Sequence, residues 1–315
     1  MSNRPTFICP VDFSEPSSTA LNYAATIAGH VGARLVVVAI DDPLLAVAAK
    51  NAGLQALSQQ TEEGLKRFVD SAVSPSTTPA GRMEFVVAVG KPAAEILRIA
   101  QESSGDLLVM GSHGRSGITK KFFGSTTERV LHETSIPVLI TPASAQRVAA
   151  VTDVSRHIQR VIAPVDLSEA SPRQTRIAAR VADGLGVPLL LAHVLEPMYM
   201  PPRVKLAIPN LERDRRAAAE RQLRELLDAC ELRSSVETLV LTGDASEEIA
   251  GVAEARQAGL IVMGLHSSGL LGRRMGSVTY RVLCLTHALV LALPPTTANQ
   301  VLVDVPSDST ASTDA

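Results

Sequence analysis

Residues 7–15 of this chain read FICPVDFSE, and almost the same stretch, VIAPVDLSE, returns 154 residues later at residues 161–169. Further along, LLVMGSH at residues 107–113 returns as LIVMGLH at residues 260–266, an offset of 153. An offset that is nearly constant over such a distance indicates duplication of a whole domain, because the repeats of solenoid proteins are much shorter. The sequence therefore predicts two tandem copies of one globular domain.

Each copy alternates strand and helix patterns. Residues 6–11 form a continuous apolar run, typical of a strand that is buried on both faces. Ser14 is predicted to cap a helix over residues 17–31, where apolar residues recur at helical spacing. Further strands are predicted at 35–40, 83–89, 106–110 and 137–141, with helices at 44–73, 92–102 and 125–133, and an interruption of the first of these helices near residues 51–53 is left open. The second copy repeats the strands near 160–165, 189–194, 236–241, 259–263 and 288–293. This alternation predicts the α/β class, as two tandem doubly wound domains with parallel sheets.

The repeat also sets the expected domain boundaries. The first domain is predicted over residues 1–145 and the second over residues 159–296, joined by a linker at 146–158. Residues 297–315 are polar and lack periodicity, so we expect a disordered tail.

Composition limits the classes of function. The formal net charge of −2 argues against a general nucleic-acid binder, so any anion site must be local. The three cysteines lie too far apart for a metal-ligand motif or a disulfide framework. The apolar runs have the length of strands, and the amino terminus does not resemble a secretory signal. We therefore expect a cytoplasmic protein with no membrane segment.

The most informative motif is a glycine-rich loop. Residues 110–114 read MGSHG, and nine residues later comes Gly124, followed by Ser125 and Thr126. In a doubly wound sheet, ligands bind beyond the carboxyl ends of the strands, and glycines let the backbone approach a ligand closely. The start of the following helix offers N–H groups to an anion, and Arg115, Lys120 and Lys121 add positive charge nearby. Glycines at a strand-to-helix turn also occur simply to make the turn, so the loop alone leaves both readings open.

Taken with the turn at residues 10–14 (PVDFS), the loop resembles the glycine signature of the ATP-binding universal stress proteins, including its nine-residue spacer. Residues 90–92 (GKP) and 135–139 (SIPVL) resemble further turns and strands of that family, and the likeness extends over both copies. The resemblance implies a flavodoxin-like (Rossmann-like) fold in each copy, with a five-stranded parallel sheet of strand order 3-2-1-4-5. It also implies that paired domains meet through their last strands as an internal pseudo-dimer, with a homodimer left open.

The resemblance further implies a site for ATP, accompanied by Mg²⁺ or Mn²⁺, in the first copy. Asp12 would contact the ribose or the metal-phosphate region, and the backbone of Ala39 and Ile40 would meet the adenine edge. The full set of expected nucleotide-binding residues is Pro10, Val11, Asp12, Ala39, Ile40, Met110, Gly111, His113, Gly114, Arg115, Gly124, Ser125 and Thr126. His113 is equally compatible with a purely structural role.

The second copy departs from the signature. Ser267 stands where the second glycine is expected, and Gly276 arrives one residue early, although Asp166 is retained. We therefore expect one nucleotide per chain, bound by the first copy. The expected function is an ATP-binding protein of stress response or signalling that acts through nucleotide-dependent conformation or choice of partner. The alternatives are an interaction protein without a nucleotide and an ATP-consuming enzyme, but no catalytic residue is identified, and ATP hydrolysis is expected to be absent or very slow.

Overall fold

The computed structural model describes residues 4–52, 57–74, 83–114, 124–148, 150–198, 210–232, 236–265 and 275–295. The elements of the first half are β1 (Thr6–Pro10), α1 (Glu15–Val31), β2 (Arg34–Asp41), α2 (Pro43–Asn51), α3 (Leu57–Ala72), β3 (Met83–Val89), α4 (Pro92–Glu102), β4 (Leu107–Gly111), α5 (Ser125–Glu133) and β5 (Val138–Thr141). Then follow α6 (Val151–His157), β6 (Val161–Pro164), α7 (Ser171–Leu185), β7 (Leu189–Leu195), α8 (Leu211–Cys230), β8 (Val236–Thr242), α9 (Ala245–Ala255), β9 (Leu260–Gly264), α10 (Ser277–Leu285) and β10 (Leu289–Leu293). The predicted alternation of strands and helices is confirmed.

Helix α1 begins and ends where the sequence marks its boundaries. The Ser14 side chain accepts a hydrogen bond from the Ser17 backbone N–H, so Ser14 is the N-cap that the sequence predicts. The helix ends at Gly32, whose φ of 69° is the left-handed conformation that glycine adopts without strain. These two caps fix the turn that follows β1, and that turn carries Asp12.

The described strands form one ten-stranded sheet in the order β3-β2-β1-β4-β5-β10-β9-β6-β7-β8. Within each half this is the expected order 3-2-1-4-5. The two halves meet where β5 and β10 pair antiparallel, with Leu139 opposite Leu291. The two five-stranded sheets are thus joined through their last strands into one continuous sheet, as the resemblance implies. Each last strand would otherwise be an exposed edge with unpaired backbone groups, and pairing the two edges removes both.

The helix predicted over residues 44–73 is interrupted where the sequence left an interruption open. The structure has two helices there, α2 and α3, with α2 ending at Asn51. The sequence continues with Gly53, a residue type that disfavours helix continuation.

Both faces of the sheet are covered by helices, as the doubly wound prediction requires. One core layer contains side chains of α1, α3, α7 and α8, and the other contains side chains of α4, α5, α9 and α10. Neighbouring residues of β2 alternate between the layers, Val37 in the first and Val36 and Val38 in the second. This arrangement leaves the carboxyl ends of the strands as the open edge of each half.

The segment between the copies packs against the first half. The Val148 backbone N–H donates to Asn22 Oδ1 at 2.7 Å, and the Arg147 guanidinium donates to Ser18 Oγ at 2.6 Å. The predicted linker, residues 146–158, contains the short helix α6 (Val151–His157). The predicted tail at residues 297–315 lies outside the described residues. In the described ranges we find no helix with both the length and the apolar character needed to cross a bilayer.

Candidate functional site

The turn after β1 holds Asp12 in a fixed geometry. Asp12 Oδ1 accepts hydrogen bonds from the Ser14 backbone N–H at 3.1 Å and from the Ser14 hydroxyl at 2.5 Å. Phe13 lies between them with a φ of 63°, an uncommon conformation for a bulky side chain. The Phe13 ring packs edge-on against Phe68, with centroids 5.4 Å apart, which stabilises the turn. The carboxylate is thereby held at the carboxyl end of β1.

The glycine loop lies at the carboxyl end of the neighbouring strand, β4. Its two ends are joined because the Gly124 backbone N–H donates to the Ser112 carbonyl at 3.0 Å. The Thr127 hydroxyl donates to the Gly111 carbonyl at 3.0 Å, which fastens the start of α5 to the end of β4. His113 follows, with Nδ1 2.9 Å from Ser112 Oγ.

Two of the loop glycines lie where a side chain has no room. A Cβ atom on Gly114 would lie 2.6 Å from Asp12 Oδ2, and one on Gly111 would lie 3.1 Å from the Pro16 backbone. A Cβ on Gly124 would lie 3.5 Å from the Gly114 nitrogen, an ordinary contact. The structure therefore brings Asp12, Gly111, Gly114 and Gly124 together, although Asp12 and Gly124 are far apart in sequence.

Helix α5 begins at this cluster without a side-chain cap. Gly124 occupies the N-cap position and provides no side-chain hydrogen bond to the first turn. Ser125 is exposed and Thr126 half-buried at the start of the helix. The N-terminal backbone N–H groups and the positive end of the helix dipole are thus directed to the open edge of the sheet. Arg115, with Lys120 and Lys121, lies outside the described residues.

The end of β2 supplies the third side of the site. Ala39 is buried and Ile40 half-buried, and they pair with Val87 and Ala88 of β3. Pro10 and Val11 belong to the adjacent strand end, where the Val11 backbone N–H donates to the Val38 carbonyl at 2.8 Å. Met110 is buried at the end of β4. The expected site residues in the described ranges therefore lie at the carboxyl ends of β1, β2 and β4 and at the start of α5.

Exposed apolar side chains surround the same edge. In the described part of the first half, the large apolar side chains classed as exposed are Phe13, Leu44, Leu45, Val47 and Val89. Phe13 follows β1, Leu44 to Val47 lie on α2 just after β2, and Val89 ends β3. Leu44 is the most exposed, at 81%. Exposed apolar surface concentrated in one place is typical of a ligand or partner site.

The second half retains the aspartate turn. Asp166 Oδ1 accepts from the Ser168 backbone N–H at 3.0 Å and from the Ser171 hydroxyl at 3.2 Å, and Leu167 has a φ of 60°, close to that of Phe13. Burial works against ionisation, but the hydrogen bonds from Ser168 and Ser171 hold the pKa of Asp166 below its ordinary value. The turn after the first strand is therefore a feature of the duplicated fold, and Asp12 alone does not distinguish a binding copy.

The loop of the second half is shorter between equivalent anchors. The Gly276 backbone N–H donates to the Leu265 carbonyl at 2.9 Å, and the Thr279 hydroxyl donates to the Gly264 carbonyl at 2.9 Å. The anchors span residues 265–276 here and residues 112–124 in the first half, so the loop is one residue shorter, as the sequence predicts. His266 and Ser267 lie outside the described residues.

Two side chains that the sequence analysis missed also distinguish the second half. His193 occupies the position of Ala39, since it pairs with Val240 as Ala39 pairs with Val87, and His193 Nδ1 lies 2.8 Å from the Val165 carbonyl. The Gln174 side-chain amide donates to the Pro164 carbonyl at the end of β6 (2.6 Å) and to the Val262 carbonyl in the middle of β9 (3.0 Å). The constant repeat offset could have revealed the exchange of Ala39 for His193.

The described residues contain no group of three or more His, Cys, Asp or Glu side chains arranged to hold a metal ion.

Comparison with known proteins agrees with this geometry. The model of the universal stress protein family matches residues 4–142 and again residues 157–294. A universal stress protein from Methanocaldococcus jannaschii is 25% identical over 146 residues, which cover 42% of this chain and 90% of that protein. One from Mycobacterium tuberculosis is 27% identical over 210 residues, 64% of this chain and 68% of that protein.

Among solved structures, a universal stress protein from Archaeoglobus fulgidus covers 92% of this chain and is itself covered to 98%, with a TM-score of 0.65 and 19% identity. At that identity the likeness supports the fold alone. The two family matches together extend over most of the chain, so this protein belongs to the universal stress protein family, in a tandem two-domain form.

Proposed function

We propose that this universal stress protein binds ATP in its first half and acts in stress response or signalling through nucleotide-dependent conformation or choice of partner. The observation that carries the proposal is the approach of Gly114 to Asp12. A Cβ on Gly114 would lie 2.6 Å from the carboxylate, so the loop lies directly against the aspartate turn and a larger residue at position 114 would displace one of them.

The phosphates are assigned to the start of α5. Its first N–H groups lack a side-chain cap, and Gly111 and Gly114 keep the adjoining backbone free of side chains. Uncapped N–H groups and the helix dipole together favour an anion. The Ser125 and Thr126 hydroxyls are further donors at the same place.

The base and ribose are assigned to the ends of β1 and β2. Asp12 has the acceptor oxygens that ribose hydroxyls require, and the small side chain of Ala39 adds little bulk beside the strand backbone at the end of β2. The exposed side chains of Phe13, Val89 and α2 provide apolar surface for the ring. Mg²⁺ or Mn²⁺ would accompany the nucleotide, held by phosphate oxygens with Asp12 as the protein carboxylate.

The second half is proposed to bind no ATP. Its loop is one residue shorter, and the imidazole of His193 lies where the first half has only the methyl group of Ala39. We assign it a structural role, because β10 covers the edge of β5.

The test is to denature the purified protein and identify any nucleotide that is released, followed by calorimetric titration of the nucleotide-free chain with ATP. Recovery of ATP, or binding of added ATP, is the expected result. A chain that releases no nucleotide and gives no heat with ATP would favour the interaction protein without a nucleotide.

A further inference from the structure

A buried carboxylate at the end of β2 has one oxygen that the fold does not use. The Asp41 side chain is only 7% exposed. Its Oδ1 accepts a hydrogen bond from the Thr61 hydroxyl of α3 at 2.7 Å. Its Oδ2 is buried and has no hydrogen-bond partner among the described residues. A buried carboxylate oxygen without a donor lowers the stability of the folded state, so its presence calls for a reason.

The second half shows that the fold itself does not need a carboxylate there. Leu195 is the last paired residue of β7, as Asp41 is of β2. The backbone contacts are the same, because Gly90 donates to the Asp41 carbonyl and Gly243 to the Leu195 carbonyl, both at 3.1 Å. The half with the complete glycine loop has the aspartate, and the half with the shortened loop has the leucine.

The wall beside Asp41 is weakly packed. Helix α2 starts two residues later, capped by Asp42, whose Oδ1 accepts from the Leu44 backbone N–H at 2.7 Å. Ala49 is the one residue of α2 that is buried, while the side chains of Leu44 and Val47 face solvent. A small displacement of α2 therefore exposes little additional apolar surface. Access of a ligand to the buried Oδ2 requires a movement of this kind.

We propose that Asp41 selects adenine as the base of the bound nucleotide, by accepting a hydrogen bond from the 6-amino group on Oδ2. This inference rests on the proposed nucleotide site and specifies its base. Asp41 directly follows Ala39 and Ile40, the residues assigned to the edge of the base. Thr61 already occupies Oδ1 and orients the carboxylate, so one acceptor remains for the 6-amino group of adenine. If α2 lies over the adenine ring, the exposed apolar residues of α2 are covered as well.

The experiment compares ATP with purine riboside triphosphate, which has hydrogen in place of the 6-amino group, by calorimetry on the full chain. The wild type is expected to bind ATP roughly ten- to a hundredfold more tightly, the contribution of one hydrogen bond to a charged acceptor. In Asp41→Leu, which carries the residue of the second half, ATP affinity should fall to that of the analogue, and affinity for the analogue should not change. Asp42→Asn, which retains a capping side chain, is the matched control and should keep the wild-type preference.

Several outcomes overturn the inference. Equal affinity of the wild type for the two nucleotides does so without any variant, and so does a preference that survives in Asp41→Leu. If Asp41→Leu loses affinity equally for ATP and for the analogue, Asp41 maintains the shape of the site and does not bind the amino group. Tighter binding of GTP than of ATP that depends on Asp41 assigns the carboxylate to a guanine edge. If Asp41→Leu unfolds, Asp41→Asn, with a neutral acceptor, should show a reduced preference. Failure of the wild type to bind any of these nucleotides refutes the proposed function itself.

Discussion

Replacement of Gly114 with alanine tests the site with a single methyl group. The added Cβ would lie 2.6 Å from Asp12 Oδ2, a distance that requires one of the two groups to move. The atom it meets is the end of a side chain and not backbone, so the fold can adjust by turning the carboxylate away. The expected consequence is therefore a defect in binding and not in folding.

The magnitude follows from the contact that is lost. One hydrogen bond to a charged group contributes about 1.5–3 kcal/mol, which corresponds to roughly 10- to 150-fold weaker binding of ATP. Calorimetric titration measures this loss, and thermal unfolding confirms that the variant is folded. Gly251→Ala is the matched control, since a Cβ there meets nothing within 4 Å. If Gly114→Ala binds ATP as the wild type does, the close approach of the loop to Asp12 has no part in binding.

Three further predictions concern turnover, acid stability and packing. Phosphate release from ATP with Mg²⁺ should be far slower than the roughly 10 per second of a typical enzyme, and turnover at that rate would support the enzyme alternative. Hydrogen bonds from the Ser246 hydroxyl and the backbone of Glu247 lower the pKa of Asp244, the N-cap of α9, from 3.8 to about 2. Because the pKa of Asp244 is lower in the folded than in the unfolded chain, its charge stabilises the folded protein above about pH 4, and this contribution is lost as the pH falls through 2. Asp244→Asn should therefore unfold more easily than the wild type at pH 7 and match it near pH 2. A difference in stability that does not depend on pH would contradict this. Gly259→Ala should lower the free energy of unfolding by about 1–3 kcal/mol, because its Cβ would overlap the His157 carbonyl; denaturant unfolding equal to that of the wild type would show that the contact can relax.

Most of the fold could be predicted because its determinants are local and repeated. Ser14 indicates the start of a helix, and the apolar run of β1 indicates a buried strand. The repeat shows the same patterns a second time in the second half. The meeting of the two halves through their last strands was implied by the family resemblance and not by any local pattern. Pairing of β5 with β10 depends on two edges that become neighbours only in the folded chain.

The site could be predicted where a backbone requirement selects the residue type. A side chain at Gly111 would crowd Pro16, and one at Gly114 would crowd Asp12, so both positions favour glycine. The spacing of the two glycines in the sequence therefore indicates the loop. Asp41 could not be recognised in the same way. Its burial depends on α2 and on Thr61, and a single aspartate at a strand end is more often an ordinary surface or capping residue.

The central claim, one ATP per chain bound by the first half, is tested most directly by native mass spectrometry of the full chain with saturating ATP. The wild type, Asp12→Asn and Asp166→Asn form the matched set, because both aspartates hold equivalent turns through hydrogen bonds from serines. The account predicts one nucleotide on the wild type, one on Asp166→Asn, and greatly reduced occupancy on Asp12→Asn. Two nucleotides on the wild type, or one that is lost with Asp166→Asn and kept with Asp12→Asn, would contradict it.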